Sequence, residues 1–336
     1  MWLTTLVGIS EFYIRLPNFI FGLFYIYFVQ QISKKKDYSL GLTSILIFNP
    51  YLIDYFSISR GYGISASLLF VASYLYVNST KDHLVVPILL LSFSTFAIHT
   101  TVIFLILFWI MNLKNAFKTY NKIFFFLLNL YLICISFINV YLLFLITEDK
   151  KPLFGIPDVS ISNLFFDSLG LNGLYSSKYS WFSFLILSLF LQPLLLYRKF
   201  NLRFKKLFLI SYSSLLFLFI VPYVFGKPYP LLRILLPFLP PILLLIIESI
   251  TILQRKLSRR FFNIVLTAIN ILLIFNFFNV IEIDKTIDWK DGLTKEEVLE
   301  ISEHSCSYTL RFEDLDYVGH YYRFVEEKLN NSECQN

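Results

Sequence analysis

The stretch that decides the fold is a short polar turn between two strongly apolar segments, and it reads Asp54-Tyr55-Phe56-Ser57-Ile58-Ser59-Arg60-Gly61-Tyr62-Gly63. Residues 41–53 precede it and residues 64–77 follow it, and neither segment contains a charged side chain. An ionisable side chain at bilayer depth costs on the order of 3 kcal/mol and usually faces a bundle interior or a wet cavity. The stretch therefore predicts a polar site at one face of a membrane protein.

Composition supports this class. The chain is 57% hydrophobic and only 15% charged, and its mean hydropathy is +0.65. A soluble domain carries about a quarter charged residues, so the sequence indicates an integral membrane protein. The predicted fold is an all-α polytopic membrane domain over residues 1–281 with about ten transmembrane helices, most of them near the length that spans a bilayer. These helices are expected at residues 14–32, 41–58, 62–78, 84–98, 100–113, 122–146, 181–198, 206–225, 230–252 and 261–281.

The distribution of lysine and arginine predicts the orientation. Sixteen of the 29 basic residues fall in alternate loops, from Lys34 to Arg260, and the intervening loops hold few. Cytoplasmic loops carry the excess of Lys and Arg, so the basic loops are predicted to be cytoplasmic. The N-terminus, the loop 148–180 and the tail 282–336 are then extracytoplasmic. This topology accounts for the net charge of +6, and no nucleic-acid partner is expected.

Two extracytoplasmic segments have their own character. Aromatic and small polar residues mix in the loop 148–180, a pattern typical of an interfacial helix on the outer leaflet. The tail contains Thr294 and Glu297 at capping-box spacing, which predicts the start of a short helix. Alternation over Ser307–Arg311 predicts a strand, so the tail is expected to be a small α+β cap.

The charged turn has two interpretations. Asp54 and Arg60 could form an interfacial ion pair that closes the turn, with Gly61 and Gly63 supplying backbone freedom. Alternatively, Arg60 belongs to a site for an anionic ligand, because its guanidinium binds phosphate in a bidentate manner and stays charged when partly buried.

His99 and Arg233 are the other candidate binding residues. His99 lies between two short apolar stretches, where it either bonds exposed backbone or contacts a sugar or phosphate. It has no second His, Cys or carboxylate at ligand spacing, so no metal site is expected. Arg233 either snorkels to the interface or joins Lys227 as a cation for a lipid phosphate, since the surrounding prolines should break the helix there.

Taken in order, these motifs resemble the GT-C glycosyltransferases, in particular the bacterial branch related to protein mannosyltransferases and the lipid A aminoarabinose transferase. The likeness covers roughly residues 10–250 and rests on the order and spacing of several short motifs. They are Glu11-x-x-x-Arg15-Leu16-Pro17, Asn49-Pro50, Asp54, Ser59-Arg60-Gly61-Tyr62-Gly63, His99 and Arg233 followed by Pro237-x-x-Pro240.

The resemblance implies a multi-pass enzyme of the bacterial inner membrane that takes a sugar from a polyprenyl-phosphate donor. The acceptor would be an extracytoplasmic glycan, lipid or protein, and no tightly bound cofactor is implied. By analogy, Arg60 and Arg233 would bind the donor phosphate, while Tyr62 and His99 would line the sugar or phosphate pocket. Such enzymes use a carboxylate base in their first outer loop to deprotonate the acceptor hydroxyl.

The sequence departs from that pattern at its start. Its first residues correspond to the region after the first outer loop, so the first span and the acidic loop are expected to be missing. Either Met1 is an internal methionine of an N-terminally truncated chain, or the protein has lost its base. Asp54 is then the remaining candidate for the catalytic base. Two alternatives stay open: a non-catalytic membrane subunit that binds lipid phosphate, and a transporter or flippase of lipid-linked glycan.

Overall fold

The described residues fold into α-helices joined by short turns, and none of them forms a β-strand. The structure is a computed structural model that describes residues 11–35, 40–57, 61–79, 83–148, 180–225 and 235–280. Residues 15–280 form one compact unit. The helices are α1 (Glu11–Lys35), α2 (Leu40–Ile47), α3 (Pro50–Ser57), α4 (Gly61–Asn78), α5 (Val85–Ala97), α6 (Val102–Thr119), α7 (Lys122–Glu148), α8 (Ser180–Leu196), α9 (Leu202–Phe225), α10 (Leu239–Gln254) and α11 (Arg259–Val280), with 3-10 turns at His99–Thr101, Tyr197–Lys199 and Leu236–Phe238.

Several helices have the dimensions of membrane spans. Within the described part, four segments are long and apolar enough to cross a bilayer: His99–Thr119, Lys122–Leu142, Leu236–Gln254 and Arg259–Asn279. The all-α prediction is therefore confirmed for the described residues, and the membrane class is supported by helix length and composition. The total of about ten spans stays a prediction.

The burial pattern fits a bundle in lipid. Most residues of helices α4 and α10 are buried, so these helices form the centre of the bundle. Helices α7 and α11 instead expose large apolar side chains, among them Ile123, Phe137, Ile264 and Phe278, at 68–75% of their surface. Monomeric soluble proteins rarely expose continuous apolar faces of this kind. Acyl chains would cover them in a membrane.

One predicted span is wrong in detail. Residues 41–58 are expected as a single helix, but their described part, 41–57, divides between α2 and α3, with a break at Phe48 and Asn49. Pro50 has no backbone N–H and occupies the first position of α3, where that donor would have no helical partner. The side-chain oxygen of Asn49 caps the new helix, because it accepts a hydrogen bond from the N–H of Leu52 at 2.8 Å. The sequence Asn49-Pro50 thus ends one helix and starts another.

The two ends of the bundle differ in chemistry. At one end, which we call the His99 end, α4 begins at Gly61, the turn His99–Thr101 separates α5 from α6, and the turn Leu236–Phe238 leads into α10. At the opposite end, which we call the basic end, lie the described cations of the predicted cytoplasmic loops. They include Lys34, Lys114, Lys118, Lys122, Arg198, Lys199, Lys206, Arg255, Lys256, Arg259 and Arg260.

Polar contacts hold the helices together inside the bundle. Near the basic end, Oδ1 of buried Asn112 in α6 accepts hydrogen bonds from Tyr76 of α4 at 2.9 Å and from Nζ of Lys206 at 3.1 Å. The hydroxyl of Ser44 in α2 donates to Oδ1 of Asn270 in α11. Such interhelical bonds supply direction where apolar packing alone supplies none.

Two predicted segments fall outside the described residues. They are the interfacial helix in the loop 148–180, of which only Glu148 and Ser180 are described, and the α+β tail 282–336.

Candidate functional site

The end of α3 lies close to the start of α4. The rings of Tyr55 and Tyr62 meet edge to face with their centroids 5.4 Å apart. A Cβ added to Gly63 would lie only 2.6 Å from the carbonyl oxygen of Tyr55, so a side chain there would push the two helices apart. Asp54 lies one residue before Tyr55 on α3 and is half-buried. Gly63 is therefore required by close helix packing.

Gly61 makes a second close approach, to a different helix. A Cβ at this position would overlap the carbonyl oxygen of Ala97, at the end of α5. Neither Gly61 nor Gly63 has a left-handed backbone. The interpretation that these glycines supply backbone freedom is thus wrong for the described structure, because both serve close contacts between backbones. The start of α4 consequently lies against the residues that lead to His99.

The chain breaks between α5 and α6 and leaves backbone groups that need partners. Ile98 has an extended backbone, with φ −142° and ψ 109°, and the 3-10 turn His99–Thr101 follows. The N–H of Ile98 still donates to the carbonyl of Ser94 at 2.9 Å. The Ile98 carbonyl accepts from both the N–H and the hydroxyl of Thr101, at 3.1 and 2.8 Å. The break is therefore stabilised locally and needs no bond from the imidazole of His99.

The imidazole of His99 instead bonds to α7. Its Nδ1 lies 2.8 Å from Oδ1 of Asn139, a residue with no exposed surface. The amide nitrogen of Asn139 donates to the hydroxyl of Thr95 at 3.0 Å and to the carbonyl of Ile135 at 2.9 Å. These donations fix the amide so that its oxygen faces His99. Because that oxygen can only accept, Nδ1 must carry the proton.

This arrangement determines what His99 can offer a ligand. With Nδ1 protonated, the neutral ring presents Nε2 as a hydrogen-bond acceptor. The side chain is half-buried. It can therefore accept a hydrogen bond from a hydroxyl group, such as one on a sugar or an acceptor, at the edge of the bundle.

A row of buried hydroxyl groups connects the start of α4 to the same break. The hydroxyls of Ser65 and Ser94 are 2.6 Å apart, and that of Ser94 is 3.3 Å from Thr101. Each of these side chains is at most 1% exposed. Within the described residues, the buried hydroxyl of Thr100 has no partner. Several buried polar groups thus lie together around His99.

The start of α10 completes the His99 end. The turn Leu236–Phe238 packs on α4, and all three of its residues are buried. The ring of Phe238 is also tilted against that of Phe104, in the first turn of α6, with centroids 6.4 Å apart. The segment that follows Arg233 in the sequence therefore packs on the two helices that begin beside the break.

The structure describes three of the five predicted site residues. Tyr62 and His99 lie on segments that the contact between Gly61 and Ala97 holds together, and Asp54 lies on the adjoining α3. Arg60 and Arg233 lie outside the described residues. Among the described residues, no group of three His, Cys, Asp or Glu side chains could hold a metal ion.

Sequence reasoning missed Asn139 and Thr95. A signal for Asn139 was present, because an amide in the middle of a 27-residue apolar helix is costly unless it bonds to a neighbouring helix. The sequence could not name the partner, since His99 is 40 residues away along the chain.

Comparisons with protein-family models, with curated proteins and with solved structures find no match to this chain.

Proposed function

We propose that this chain is a membrane glycosyltransferase of the GT-C type, which moves a sugar from a polyprenyl-phosphate donor to an extracytoplasmic acceptor. The observation that supports the proposal is the close backbone contact between Gly61 and Ala97. It joins Gly61-Tyr62-Gly63 to the segment that bears His99, and both belong to the motifs on which the resemblance rests.

The proposed reaction replaces one bond to the anomeric carbon by another. An acceptor hydroxyl attacks that carbon, the bond from the carbon to the donor's phosphate oxygen breaks, and the hydroxyl proton passes to a base. Negative charge develops on the leaving phosphate, and cations placed beside it stabilise the transition state. Arg60 and Arg233 are assigned this role, because a guanidinium can hold two phosphate oxygens at once.

Tyr62 and His99 are assigned to the pocket that binds the sugar and phosphate. The hydrogen bond from Nδ1 of His99 to Asn139 leaves Nε2 free to accept a hydrogen bond from a hydroxyl group of the ligand. Asp54 is the proposed carboxylate base. It lies one residue before Tyr55, whose ring contacts that of Tyr62.

The test is sugar transfer by the purified protein in proteoliposomes that contain radiolabelled polyprenyl-phosphate sugars and a membrane extract as acceptor. We expect transfer by the wild-type chain and its loss in Arg233→Ala and Arg60→Ala. Asp54→Asn should lower the transfer rate without lowering donor binding. The matched control is Arg198→Ala, which removes an exposed arginine at the basic end and should leave transfer unchanged.

Two results would reject the proposal that the chain is an enzyme. If the wild-type chain binds the labelled donor through Arg233 but transfers no sugar to any acceptor, the chain is a non-catalytic subunit that binds lipid phosphate. If the donor crosses the bilayer without losing its sugar, the chain is a transporter. Equal rates of sugar transfer by the wild-type chain and Arg233→Ala would show that Arg233 does not bind the donor phosphate.

A further inference from the structure

A chain of hydrogen bonds behind His99 determines the direction of each donor. The hydroxyl of Thr95 donates to the carbonyl of Ser92 at 2.7 Å, so its oxygen can only accept from the other side. The group of Asn139 that meets this oxygen at 3.0 Å must therefore be its NH₂. The opposite atom of the amide, Oδ1, then faces Nδ1 of His99 at 2.8 Å. Thr95 thus fixes Asn139, and Asn139 fixes the proton on Nδ1.

The partner of the imidazole is uncharged and shielded from water. Asn139 and Thr95 have no exposed surface, so solvent cannot exchange places with either group. A carboxylate at position 139 would favour a second proton on the ring, because it would balance the positive charge of the imidazolium. The amide oxygen of Asn139 supplies no such charge. The ring of His99 is therefore held in a neutral form whose Nε2 can only accept a hydrogen bond.

A neutral Nε2 distinguishes between the two parts of a glycosyl phosphate. A sugar hydroxyl has a hydrogen to donate to it, whereas the ionised oxygens of a phosphate only accept. Two acceptors that face each other share no hydrogen, and the lone pair of Nε2 repels the negative oxygen. His99 is consequently suited to the sugar and unsuited to the phosphate.

The hydroxyl groups beside the break are uncharged as well. Those of Ser65 and Ser94 are 2.6 Å apart, and that of Ser94 is 3.3 Å from Thr101. A buried anion needs a cation or several donors beside it, whereas a hydroxyl group needs only an ordinary hydrogen-bond partner. These side chains therefore provide surroundings for an uncharged part of a ligand.

We propose, on the basis of the proposed function, that Nε2 of His99 accepts a hydrogen bond from a hydroxyl group of the donor's sugar and makes no contact with the donor's phosphate. The pocket then has two parts, one for the sugar at His99 and one for the phosphate at the proposed arginines. Asn139 is the positioning residue of the sugar part, because it acts on the ligand only through the ring.

The test is native mass spectrometry of the full chain in detergent, titrated with undecaprenyl phosphate or with the same lipid phosphate carrying mannose or glucose. The wild-type chain should retain a glycosylated lipid more tightly than the bare lipid phosphate. His99→Ala should lower retention of the glycosylated lipid about tenfold, the effect of one hydrogen bond, and should leave that of the bare lipid unchanged. The matched control is His83→Ala, which removes an exposed histidine before α5 and should alter neither.

Asn139→Asp tests the role of the uncharged partner. Its carboxylate would favour the charged ring, whose Nε2–H donates to a phosphate oxygen. Retention of the bare lipid phosphate should therefore rise relative to that of the glycosylated lipid. Asn129→Asp is the control on the same helix, where the carboxylate would face Trp109, and it should leave the ratio of the two retentions unchanged. Melting temperatures compared with the wild type show which variants are folded, and His99→Ala decides the matter if Asn139→Asp is not.

Three outcomes would overturn the proposal. An equal loss of both lipids in His99→Ala would place the ring on the phosphate that they share. Unchanged retention of both would remove His99 from the donor site. Equal retention of bare and glycosylated lipid by the wild-type chain would show that no part of the protein holds the sugar. A wild-type chain that retains neither lipid is a different result, because it removes the proposed function itself and the inference with it.

Discussion

Gly61 at the start of α4 packs directly against the carbonyl of Ala97 at the end of α5, with no room for a side chain between them. The contact joins the first residue of α4 to the last residue of α5, so the full lengths of both helices separate the two residues along the chain. It makes the geometry around His99 depend on a residue that has no side chain of its own.

Gly61→Ala should therefore destabilise the protein. The new methyl group would overlap backbone atoms, which cannot rotate away, and overpacking of this kind costs about 1–3 kcal/mol. The measurement is the midpoint of chemical unfolding in detergent micelles. The matched control is Gly22→Ala, whose Cβ would lie 3.0 Å from side-chain atoms of Phe56, and where alanine favours the helix by about 1 kcal/mol. Equal losses of stability in Gly61→Ala and Gly22→Ala would contradict the explanation that overlap with the Ala97 backbone destabilises Gly61→Ala.

The sequence predicted part of this arrangement and not the rest, for physical reasons. Apolar runs bounded by polar loops locate α4, α7 and α11 well, because helix length in a bilayer is set by the thickness of the hydrocarbon. The sequence also predicted the break at His99, because the apolar stretches on its two sides are each too short to span a bilayer. It did not predict the role of Gly61, because a close backbone contact depends on which helix lies opposite.

The break between α2 and α3 shows the same limit. Asn49-Pro50 is a strong local signal for a helix start, yet the apolar character of residues 41–58 favoured one continuous span. In the folded chain, the hydrogen bond from the N–H of Leu52 to the side chain of Asn49 caps α3 and separates it from α2. A hydropathy profile could not predict this break, because it does not include the hydrogen bonds that cap a helix.

Asn49→Ala should cost about 1–2 kcal/mol, the upper part of the range for a lost helix cap. Asn49 is fully buried, so water cannot replace its oxygen as acceptor for the N–H of Leu52. Unfolding in urea measures the loss. Asn201→Ala is the matched control, because Asn201 caps α9 through the N–H of Phe204 at 3.0 Å but is exposed. If the exposed cap proves as costly as the buried one, burial is not the reason.

Lys206→Met should destabilise the basic end by about 1.5–3 kcal/mol, the contribution of a hydrogen bond to a charged group. The substitution keeps an unbranched apolar side chain up to the ε position but removes the amino group that donates to Asn112. Lys205→Met, one residue earlier, removes only a cation beside the Tyr197 ring and should cost about 0.5 kcal/mol. Thermal unfolding of the two variants in the same detergent compares them. A larger loss of stability in Lys205→Met than in Lys206→Met would mean that the hydrogen bond from Lys206 to Asn112 contributes little to stability.

Asn139→Ala should release the imidazole of His99 from its single tautomer. The amide oxygen of Asn139 is what requires a proton on Nδ1, and alanine has no acceptor to replace it. Nitrogen-15 spectra of the protein labelled at its histidines report the tautomer, and the signal of His99 is identified by its loss in His99→Gln. The wild-type chain should show Nδ1 protonated, and Asn139→Ala should show a mixture of tautomers.

Asn129→Ala is the control for this experiment, because Asn129 lies on the same helix and accepts a hydrogen bond from Trp109 at 3.0 Å. It should leave the His99 signal unchanged, although both variants lose hydrogen bonds in α7. A mixture of tautomers in the wild-type chain would contradict the orientation of Asn139. A change of equal size in both variants would show that α7 as a whole, and not the amide of Asn139, holds the ring. The expected result makes Asn139 a positioning residue whose effect on ligand binding passes through Nε2 of His99.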